Sequence, residues 1–498
     1  MYGSADLTVE GDARLTVWIL MNKRNAILTV DYDEEIHAFS RILDVSNPEL
    51  APFAARETNG TISRPRLQNW WNERAIPATR DDFRKLRDGL NGTSPMSLLE
   101  GAHGLSLTDQ FWMRREDDER SWDEVNFFTN GFGPELGYLT LGSFSPSYRE
   151  FSSETPSPNS SLGGNLKKAW EMKNGEPILV KAGADPLRLE PYSELVATRL
   201  YGLILEQADY VPYELENRDG RPYSTCPCMV DESESFVPMR DIIEAYKRRG
   251  SESPWLHLLS CCRQLGLSDA ELPLSKMFVC DYLLANSDRH WGNFGVVFDT
   301  ETMTAKRVAP IFDSGAALWS RVAVLDSEID FWYRPLPLIP ERAGRIYPED
   351  QLSLIKRRDW LDCRALDDFE DIVRDILGKA AFNQPARIDA ICWRVRQNIS
   401  RLTPSAHPRS TYRIAHHRNR ESSITNQGTL IHQHELEAKT GNTKFLAKKL
   451  TPDTRQAQRQ PDLCRTLTKA REAANNNAAH DTKDNPNKSG LEKHDRTL

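Results

Sequence analysis

One polar stretch constrains the fold more than any other part of this 498-residue chain. Residues 286–294 read Asn-Ser-Asp-Arg-His-Trp-Gly-Asn-Phe, and they follow a run at 276–285 that is apolar almost throughout. Such a run predicts a buried helix that ends at the polar stretch. Two short strands are predicted next, at 294–298 and 308–312, and the second leads into Asp313-Ser314-Gly315. A polar loop and a strand end are therefore expected to meet in one cleft.

The oxygen-bearing side chains of these two segments suit a magnesium site. Magnesium prefers oxygen ligands and commonly shares them with substrate phosphates, and Asn293 and Asp313 carry such oxygens. A third group, Asp288, can accept a hydrogen bond from an attacking hydroxyl. Four residues separate Asp288 from Asn293, as they separate the catalytic Asp from the metal-binding Asn in protein kinases.

A lysine and a glutamate lie upstream in the order that kinases use. The apolar run 178–180 predicts a strand that ends at Lys181, and the apolar spacing over 191–207 predicts a helix that carries Glu194. A strand lysine held by a helix glutamate is the arrangement with which kinases bind the α- and β-phosphates. A further strand is predicted at 210–215.

At these residues the chain resembles the HipA-like serine/threonine kinases, whose kinase-like fold is related to that of phosphatidylinositol kinases. The family has a catalytic stretch of the form N-x-D-x-H-x-x-N-F, which is matched here by Asn286, Asp288, His290, Asn293 and Phe294. A later apolar run with Ala-Pro and a metal-binding Asp is matched by residues 309–313. The order Asp-Arg-His, rather than His-Arg-Asp, distinguishes this stretch from that of ordinary protein kinases.

The resemblance covers about residues 140–402 and implies a role for each matched position. Asp288 would be the catalytic base, Asn293 and Asp313 the magnesium ligands, and Lys181 with Glu194 the phosphate-anchoring pair. His290 is a catalytic candidate, but bracing of the loop by a hydrogen bond is the favoured interpretation. Arg289 is expected to pair with an acidic neighbour or a phosphorylated segment, or to touch substrate. The implied cofactors are ATP and Mg²⁺.

The nucleotide loop departs from the kinase pattern, because the chain has no G-x-G-x-x-G motif. The candidate phosphate loop is 160–168, and its ATP-binding residues would be Ser160, Ser161, Gly163, Gly164 and Lys167. A Gly-Gly-Asn hairpin turn explains the same residues equally well. Chain order places Met229 and Val230, within the run 228–230, where a kinase hinge would face adenine.

The predicted fold class is α+β, with a small β-rich lobe and a larger helical lobe in the protein-kinase manner. Alternating strands at 15–45, a helix at 80–90 and the pair Trp70-Trp71, interpreted as core aromatics, belong to an α/β module. The predicted divisions are an N-terminal module at 1–135, an N-lobe at 136–235, a C-lobe at 236–402, and a basic, disordered tail at 403–498.

Charge and composition exclude several classes of protein. The formal net charge of −8 divides into −15 over residues 1–402 and +7 over the tail, so nucleic-acid binding is expected at most in the tail. No apolar run reaches the length of a membrane span, and no secretory leader is visible. Eight cysteines do not suggest a disulfide scaffold, so a cytoplasmic location is expected. The pairs Cys226/Cys228 and Cys261/Cys262 lack zinc-site spacing and are expected to be buried thiols.

The leading functional hypothesis is an ATP- and magnesium-dependent protein kinase that phosphorylates a Ser or Thr hydroxyl, with autophosphorylation of the chain included. A second hypothesis is a catalytically weak regulatory or toxin–antitoxin-type binding protein of the same fold. The resemblance implies a DNA-binding, antitoxin-like partner for it. A third hypothesis is a small-molecule or lipid kinase, since the Asp-Arg-His order also suits lipid kinases. No basic amphipathic helix directed to membranes supports it.

Overall fold

A computed structural model of the chain describes residues 15–403, apart from 81–82, 84–87, 89, 91, 143–154, 323–337 and 339–346. The described residues belong to one compact unit, Met1–Pro404. The predicted helix at 80–90 lies mostly outside the described residues, as does all but the first residue of the predicted tail. The domain boundaries predicted within this unit stay predictions.

The described strands form three antiparallel sheets. The first has the order β3-β2-β1-β4, the second β5-β6-β8-β7 and the third β11-β10-β9. The strands are β1 Leu15–Asn22, β2 Asn25–Asp33, β3 Ala38–Val45, β4 Phe111–Arg115, β5 Lys168–Lys173, β6 Glu176–Ala182, β7 Glu214–Arg218, β8 Arg221–Pro227, β9 Glu234–Pro238, β10 Gly295–Asp299 and β11 Ala305–Val308.

Helices accompany all three sheets. They are α1 Arg64–Arg74, α2 Pro95–Gly101, α3 Trp122–Val125, α4 Glu135–Leu141, α5 Glu190–Ile204, α6 Met239–Ala245, α7 Pro254–Gln264, α8 Glu271–Leu284, α9 Pro348–Leu354, α10 Phe369–Gly378 and α11 Pro385–Leu402. Short 3-10 helices include one at Pro158–Ser161. The chain is therefore a mixed α and β protein whose sheets are antiparallel, as the α+β prediction requires.

The first sheet confirms the interpretation of the tryptophan pair as core. Trp71 on α1 is fully buried, and its indole Nε1 donates to the Tyr32 hydroxyl at 3.2 Å. Trp70 packs edge-on against Phe111, with 5.8 Å between the ring centroids. The predicted strands at 15–45 are present as β1, β2 and β3.

The second sheet carries the predicted strand and helix at 178–207. The strand around Lys181 is β6, and the helix with Glu194 is α5, which has a proline in its first turn where the missing N–H costs no helical bond. β5 and β6 form a hairpin whose turn contains Asn174 and Gly175, both with positive φ. This hairpin places Lys168 directly opposite Lys181.

Two strand predictions were wrong in their bounds. The strand predicted at 308–312 is β11, which ends at Val308, and the strand predicted at 210–215 starts only at Glu214 as β7. The apolar residues of both stretches bond to each other instead of joining a sheet. Tyr210 and Ile311 form an isolated parallel bridge, and Val211 N donates to Ile311 O at 2.9 Å. Asp313 therefore follows a single bridge and not a strand end.

The buried helix before the polar stretch is confirmed as α8. All of its residues from Met277 to Leu284 are buried. It ends at Ala285, which has left-handed backbone (φ 51°). The next residue, Asn286, turns back so that its N–H donates to Asp281 O at 2.9 Å. The chain then runs through the polar loop into β10.

The cysteines of the described part are free thiols, as expected. Cys226, Cys261 and Cys262 are buried, and Cys228 is half-buried. Within the described residues no group of three or more His, Cys, Asp and Glu side chains is arranged to hold a metal ion. None of the described helices combines the length and the apolar character needed to cross a membrane.

Candidate active site

A buried ion pair builds the polar loop that follows α8. Arg289 is 1% exposed, and its guanidinium donates to both carboxylate oxygens of Asp281, at 2.9 Å from Nε and 3.1 Å from Nη2. Asp281 lies in the last turns of α8, so the pair fastens the loop to the helix from which it emerges. The partner of Arg289 is thus an acidic neighbour. Sequence reasoning missed Asp281, although it is the one carboxylate in the apolar run 276–285.

Arg289 also ties the loop to the segment that carries Asp313. Its Nη1 donates to the backbone oxygens of Asn293 and Phe312, both at 2.6 Å. Its Nη2 lies 3.3 Å from the Ser314 hydroxyl. One guanidinium therefore sets the relative position of the two residues that the sequence nominates as metal ligands.

Hydrogen bonds within the loop orient Asp288. Asn286 Nδ2 donates to Asp281 Oδ1 at 2.8 Å, and Asn286 Oδ1 accepts from the Asp288 N–H at 3.2 Å. Asn293 Nδ2 donates to Asp288 O at 3.0 Å, which leaves Oδ1 as the Asn293 atom able to bind a cation. The Asp288 carboxylate takes no part in these bonds, and it lines the cleft.

His290 and Trp291 support the loop. His290 Nδ1 accepts from the Gly292 N–H at 3.0 Å while the imidazole is exposed, which is the bracing contact favoured from the sequence. Trp291 stacks obliquely on the buried Phe294, with 5.6 Å between the ring centroids. Both contacts lie within the loop.

Lys181, Glu194 and Asp313 meet at the centre of the cleft. Lys181 Nζ lies 2.5 Å from Glu194 Oε1 and 2.5 Å from Asp313 Oδ1. Lys181 is 6% exposed and Glu194 is 1% exposed. Glu194 Oε2 also accepts from the Ser314 N–H at 2.9 Å. Three residues that the sequence nominates separately therefore form one hydrogen-bonded cluster.

The two carboxylates of this cluster, Glu194 and Asp313, differ in their electrostatic surroundings. Burial alone would raise the pKa of Asp313, but the charges of Lys181 and Lys168 hold it well below its usual range. Burial, followed by the charge of Asp313, raises the pKa of Glu194. Both carboxylates bond to the same ammonium group, that of Lys181. Asp313 also offers oxygen donors, together with the amide oxygen of Asn293, so these residues fit Mg²⁺.

The backbone around Asp313 is tightly constrained. Asp313 has left-handed backbone with φ 56°, which non-glycine residues rarely adopt outside special sites. A Cβ on Gly315 would lie 3.2 Å from Glu190 Cβ and 3.3 Å from Glu194 Oε1. Glycine at 315 therefore lets this segment approach α5 closely enough for Asp313 to reach Lys181.

Arg321 contacts the candidate base and was missed by sequence reasoning. Its Nη1 lies 3.1 Å from Asp288 Oδ2, and its Nε lies 3.7 Å from Glu190 Oε1. Arg321, Asp288 and Glu190 line the cleft together with Lys181 and Asp313. No motif marks Arg321, because it follows Asp313 by eight residues in an irregular segment.

The segment 162–165 is a loop and not a hairpin turn. It leads from the 3-10 helix at Pro158–Ser161 into β5, so the element directly before it is not a strand. The hairpin alternative is therefore wrong. Gly163 and Gly164 lie in this loop, and Gly164 has a positive φ of 86°.

Ser160 and Ser161 precede the loop, and their hydroxyl groups are used locally. Ser160 is buried, and its Oγ donates to Ser157 O at 2.8 Å. Ser161 Oγ donates to Pro158 O at 3.1 Å. Their predicted contact with ATP stays a prediction.

The two lysines after the loop point in different directions. A Cβ on Gly142 would lie 3.3 Å from Lys167 Nζ, so this ammonium lies beside Gly142. Directly opposed residues of an antiparallel pair share one face of the sheet, so Lys168 lies on the same face as Lys181. The strand periodicity would have singled out Lys168, had the register with Lys181 been visible in the sequence.

The predicted hinge at 228–230 connects β8 of the second sheet to β9 of the third. Met229 and Phe312 both pack against a cluster that contains Tyr213, and Val230 is buried in one cluster with Val297. Cys228 Sγ lies 3.1 Å from Leu107 O. The segment is thus anchored at its start by residues that precede β4.

The similarity of this chain to known proteins lies at the level of solved structures. No protein-family model matches the chain, and no curated protein matches it. Among solved structures it is similar to the crystal structure of a Helicobacter pylori proinflammatory kinase, CtkA, with 18% sequence identity and a TM-score of 0.36. The similarity covers 47% of this chain and 90% of CtkA.

Proposed function

We propose that the chain is an ATP- and magnesium-dependent serine/threonine protein kinase of the HipA-like type. The observation that carries this proposal is the cluster in which Lys181 Nζ lies 2.5 Å from both Glu194 and Asp313, in the cleft that Asp288 lines. A structural ion pair needs neither a second carboxylate nor an open cleft beside it. Phosphoryl transfer needs both, because it depends on positioned charges around the phosphates.

Each residue of the cluster has a defined task in this proposal. Glu194 holds the Lys181 ammonium in place, and Lys181 binds the α- and β-phosphates of ATP. Asp313 and Asn293 hold magnesium, which neutralises charge on the β- and γ-phosphates when it is bound. Asp288 orients the acceptor hydroxyl so that its oxygen lies in line with the γ-phosphorus, and it accepts the proton of that hydroxyl.

The proposed lobes follow the predicted divisions. Residues 136–235 with the second sheet and α5 would form the small lobe, and residues 236–402 the larger one. The segment 228–230 would be the hinge, with Met229 and Val230 beside adenine. The acceptor would be a Ser or Thr hydroxyl of a protein, including this chain.

A direct assay tests this function. Purified full-length protein is incubated with Mg²⁺ and γ-phosphate-labelled ATP, and phosphorylated residues are then mapped by mass spectrometry. Label on Ser or Thr supports the proposal. ATP binding without label would instead favour the regulatory binding protein, and label transferred to an added lipid or small molecule would favour the third hypothesis.

Magnesium dependence should reside in Asp313. In Asp313→Asn, the affinity for ATP should no longer increase on addition of Mg²⁺, because the ionised magnesium ligand is lost. In the presence of Mg²⁺, the variant should bind ATP about tenfold more weakly than the wild type, which corresponds to ~1.4 kcal/mol. Calorimetric titration of ATP with and without Mg²⁺ measures the effect. Asp299→Asn, at the half-buried C-terminal end of β10, is the control. Equal magnesium dependence in Asp313→Asn and the control would contradict the assignment.

Lys168, and not Lys167, should bind the phosphates. Burial lowers the pKa of Lys168 to about 8, against the opposing charge of Asp313. Its charge is therefore available at pH 7 and is lost as the pH rises through 8. Lys168→Met should weaken ATP binding about tenfold at pH 7, the size of a lost charge-assisted hydrogen bond, and much less at pH 9.

Lys167→Met is the matched control for this prediction, since it removes the same charge from the neighbouring residue. Its ATP affinity should stay within about twofold of the wild-type value at both pH values. Binding is followed by titration of ATP at pH 7 and pH 9. A larger loss in Lys167→Met than in Lys168→Met would restore the assignment that the sequence favours.

A further inference from the structure

One buried cation from the N-terminal part of the chain reaches the loop at Gly163 and Gly164. Arg80 is 3% exposed, and its guanidinium donates to the backbone oxygens of Leu162, Gly163 and Gly164. The bonds to Gly163 and Gly164 measure 3.4 Å and 3.3 Å. The preceding residue, Thr79, adds a bond from Oγ1 to Asn165 Oδ1 at 2.9 Å. Every residue from 162 to 165 is thus held from the same side.

The charge of Arg80 is not compensated within the described part of the chain. No described carboxylate forms an ion pair with it, and its buried Nη1 has no hydrogen-bond partner. Burial lowers the pKa of Arg80 to about 10, so the group still carries its charge at neutral pH. Buried charges are normally paired, and Arg74 and Arg289 each bind a carboxylate. An anion near Arg80 would therefore be stabilised.

The bonds to Arg80 also determine where the loop directs its N–H groups. In a trans peptide the C=O and the following N–H point in opposite directions. Since the oxygens of 162, 163 and 164 point toward Arg80, the N–H groups of Gly163, Gly164 and Asn165 point away from it. Within the described residues, none of these N–H groups donates to a backbone oxygen. Successive free N–H groups of this kind form an anion-binding concavity.

We propose that Arg80 is a positioning residue for the phosphates of ATP: it turns the loop 162–165 so that its N–H groups face the nucleotide, and it adds behind them a positive charge that no carboxylate of the described residues pairs. This inference rests on the proposed function of the cleft. It assigns part of the nucleotide site to the N-terminal module, to which sequence reasoning gave no role. Arg80 does not touch the reacting atoms in this proposal.

The test compares the affinities for ATP and for adenosine, which lacks phosphates, in full-length protein. Arg80→Gln should weaken ATP binding about tenfold or more while adenosine binding stays unchanged, because only the phosphates use the loop. Arg80→Lys keeps the charge but loses hydrogen-bond donors, so its affinity for ATP should lie between those of the wild type and Arg80→Gln. Arg74→Gln is the control, since Arg74 is a buried arginine of the same module that bonds to Gly104 O and Asp109.

The outcomes separate the inference from the proposed function. In Arg74→Gln the ratio of the two affinities should equal that of the wild type, even if its Tm falls. A reduced Tm in Arg80→Gln with an unchanged ratio would show that Arg80 is merely structural and would overturn the inference. If Arg80→Gln does not fold, the same ratio is measured in Arg80→Lys, and a ratio equal to that of the wild type would overturn the inference. A wild-type protein that binds no ATP would instead overturn the proposed function.

Discussion

Asp288→Asn should abolish phosphoryl transfer and leave ATP binding nearly intact. A positioned general base contributes about 10²- to 10⁴-fold to such reactions, and asparagine keeps the shape of the side chain without its basicity. The backbone contacts that orient residue 288 come from Asn286 and Asn293 and do not involve the carboxylate. The loop should therefore keep its form. Transfer of label from γ-labelled ATP and the Kd for Mg-ATP are the two measurements.

The control for this variant removes a comparable ion pair elsewhere. Asp288 is paired with Arg321 and partly exposed, and Asp123 is paired with Arg24 at the surface in a similar way. Partly exposed pairs of this kind contribute about 1 kcal/mol or less to stability, so both Asp→Asn variants should remain folded. Normal activity in Asp288→Asn would exclude Asp288 as the base, and a loss of activity in Asp123→Asn would show that the assay reports stability.

The sequence reveals those parts of the site that lie on regular elements. An apolar strand that ends in lysine and a helix with a glutamate are visible as patterns, and the cluster of Lys181 and Glu194 follows from them. The buried α8 and the polar loop after it are visible for the same reason. Hydrophobic periodicity shows which face of an element is buried, and this is enough to locate these residues on their strand, helix and loop.

The site residues that the sequence did not reveal form their contacts with residues that are distant in the sequence. Arg80 contacts a loop more than eighty residues away, and Arg321 meets Asp288 across an irregular segment. Lys168 is distinguished from Lys167 only by the register of β5 with β6. No local pattern encodes such pairings, because they depend on how the elements pack and not on the elements themselves.

The N-terminal module illustrates the same limit. Its predicted bounds, 1–135, say nothing of its contacts. Gln110 Nε2 donates to the backbone oxygens of Asp231 and Glu234, at 3.3 Å and 3.0 Å, just after the candidate hinge. The N–H of Phe236 on β9 donates to Thr108 O at 2.8 Å. Together with the bonds from Arg80, these contacts join the module to both ends of the proposed nucleotide site. A charge pattern or a composition change cannot show such contacts.

The largest effect on stability is expected from the buried pair of Arg289 and Asp281. Arg289→Met leaves the Asp281 carboxylate buried without its cation, and breaking a buried pair in this way destabilises a protein by about 3–5 kcal/mol. The same variant also loses the bonds to the backbone oxygens of Asn293 and Phe312. The free energy of unfolding, measured by chemical denaturation, should fall accordingly. Arg374→Met, which removes an exposed arginine paired with Glu370 and Asp389, should change it by less than about 1 kcal/mol.

A double-mutant cycle separates the two tasks of Arg289. In Arg289→Met with Asp281→Leu neither partner is left as an unpaired charge, so the double variant should be less destabilised than the sum of the two single variants. Its activity should nevertheless remain low, because nothing then links the loop to the segment that carries Asp313. A double variant with restored stability and full activity would show that the ion pair stabilises the fold without positioning the site. Additive losses would show that Arg289 and Asp281 do not act as a pair.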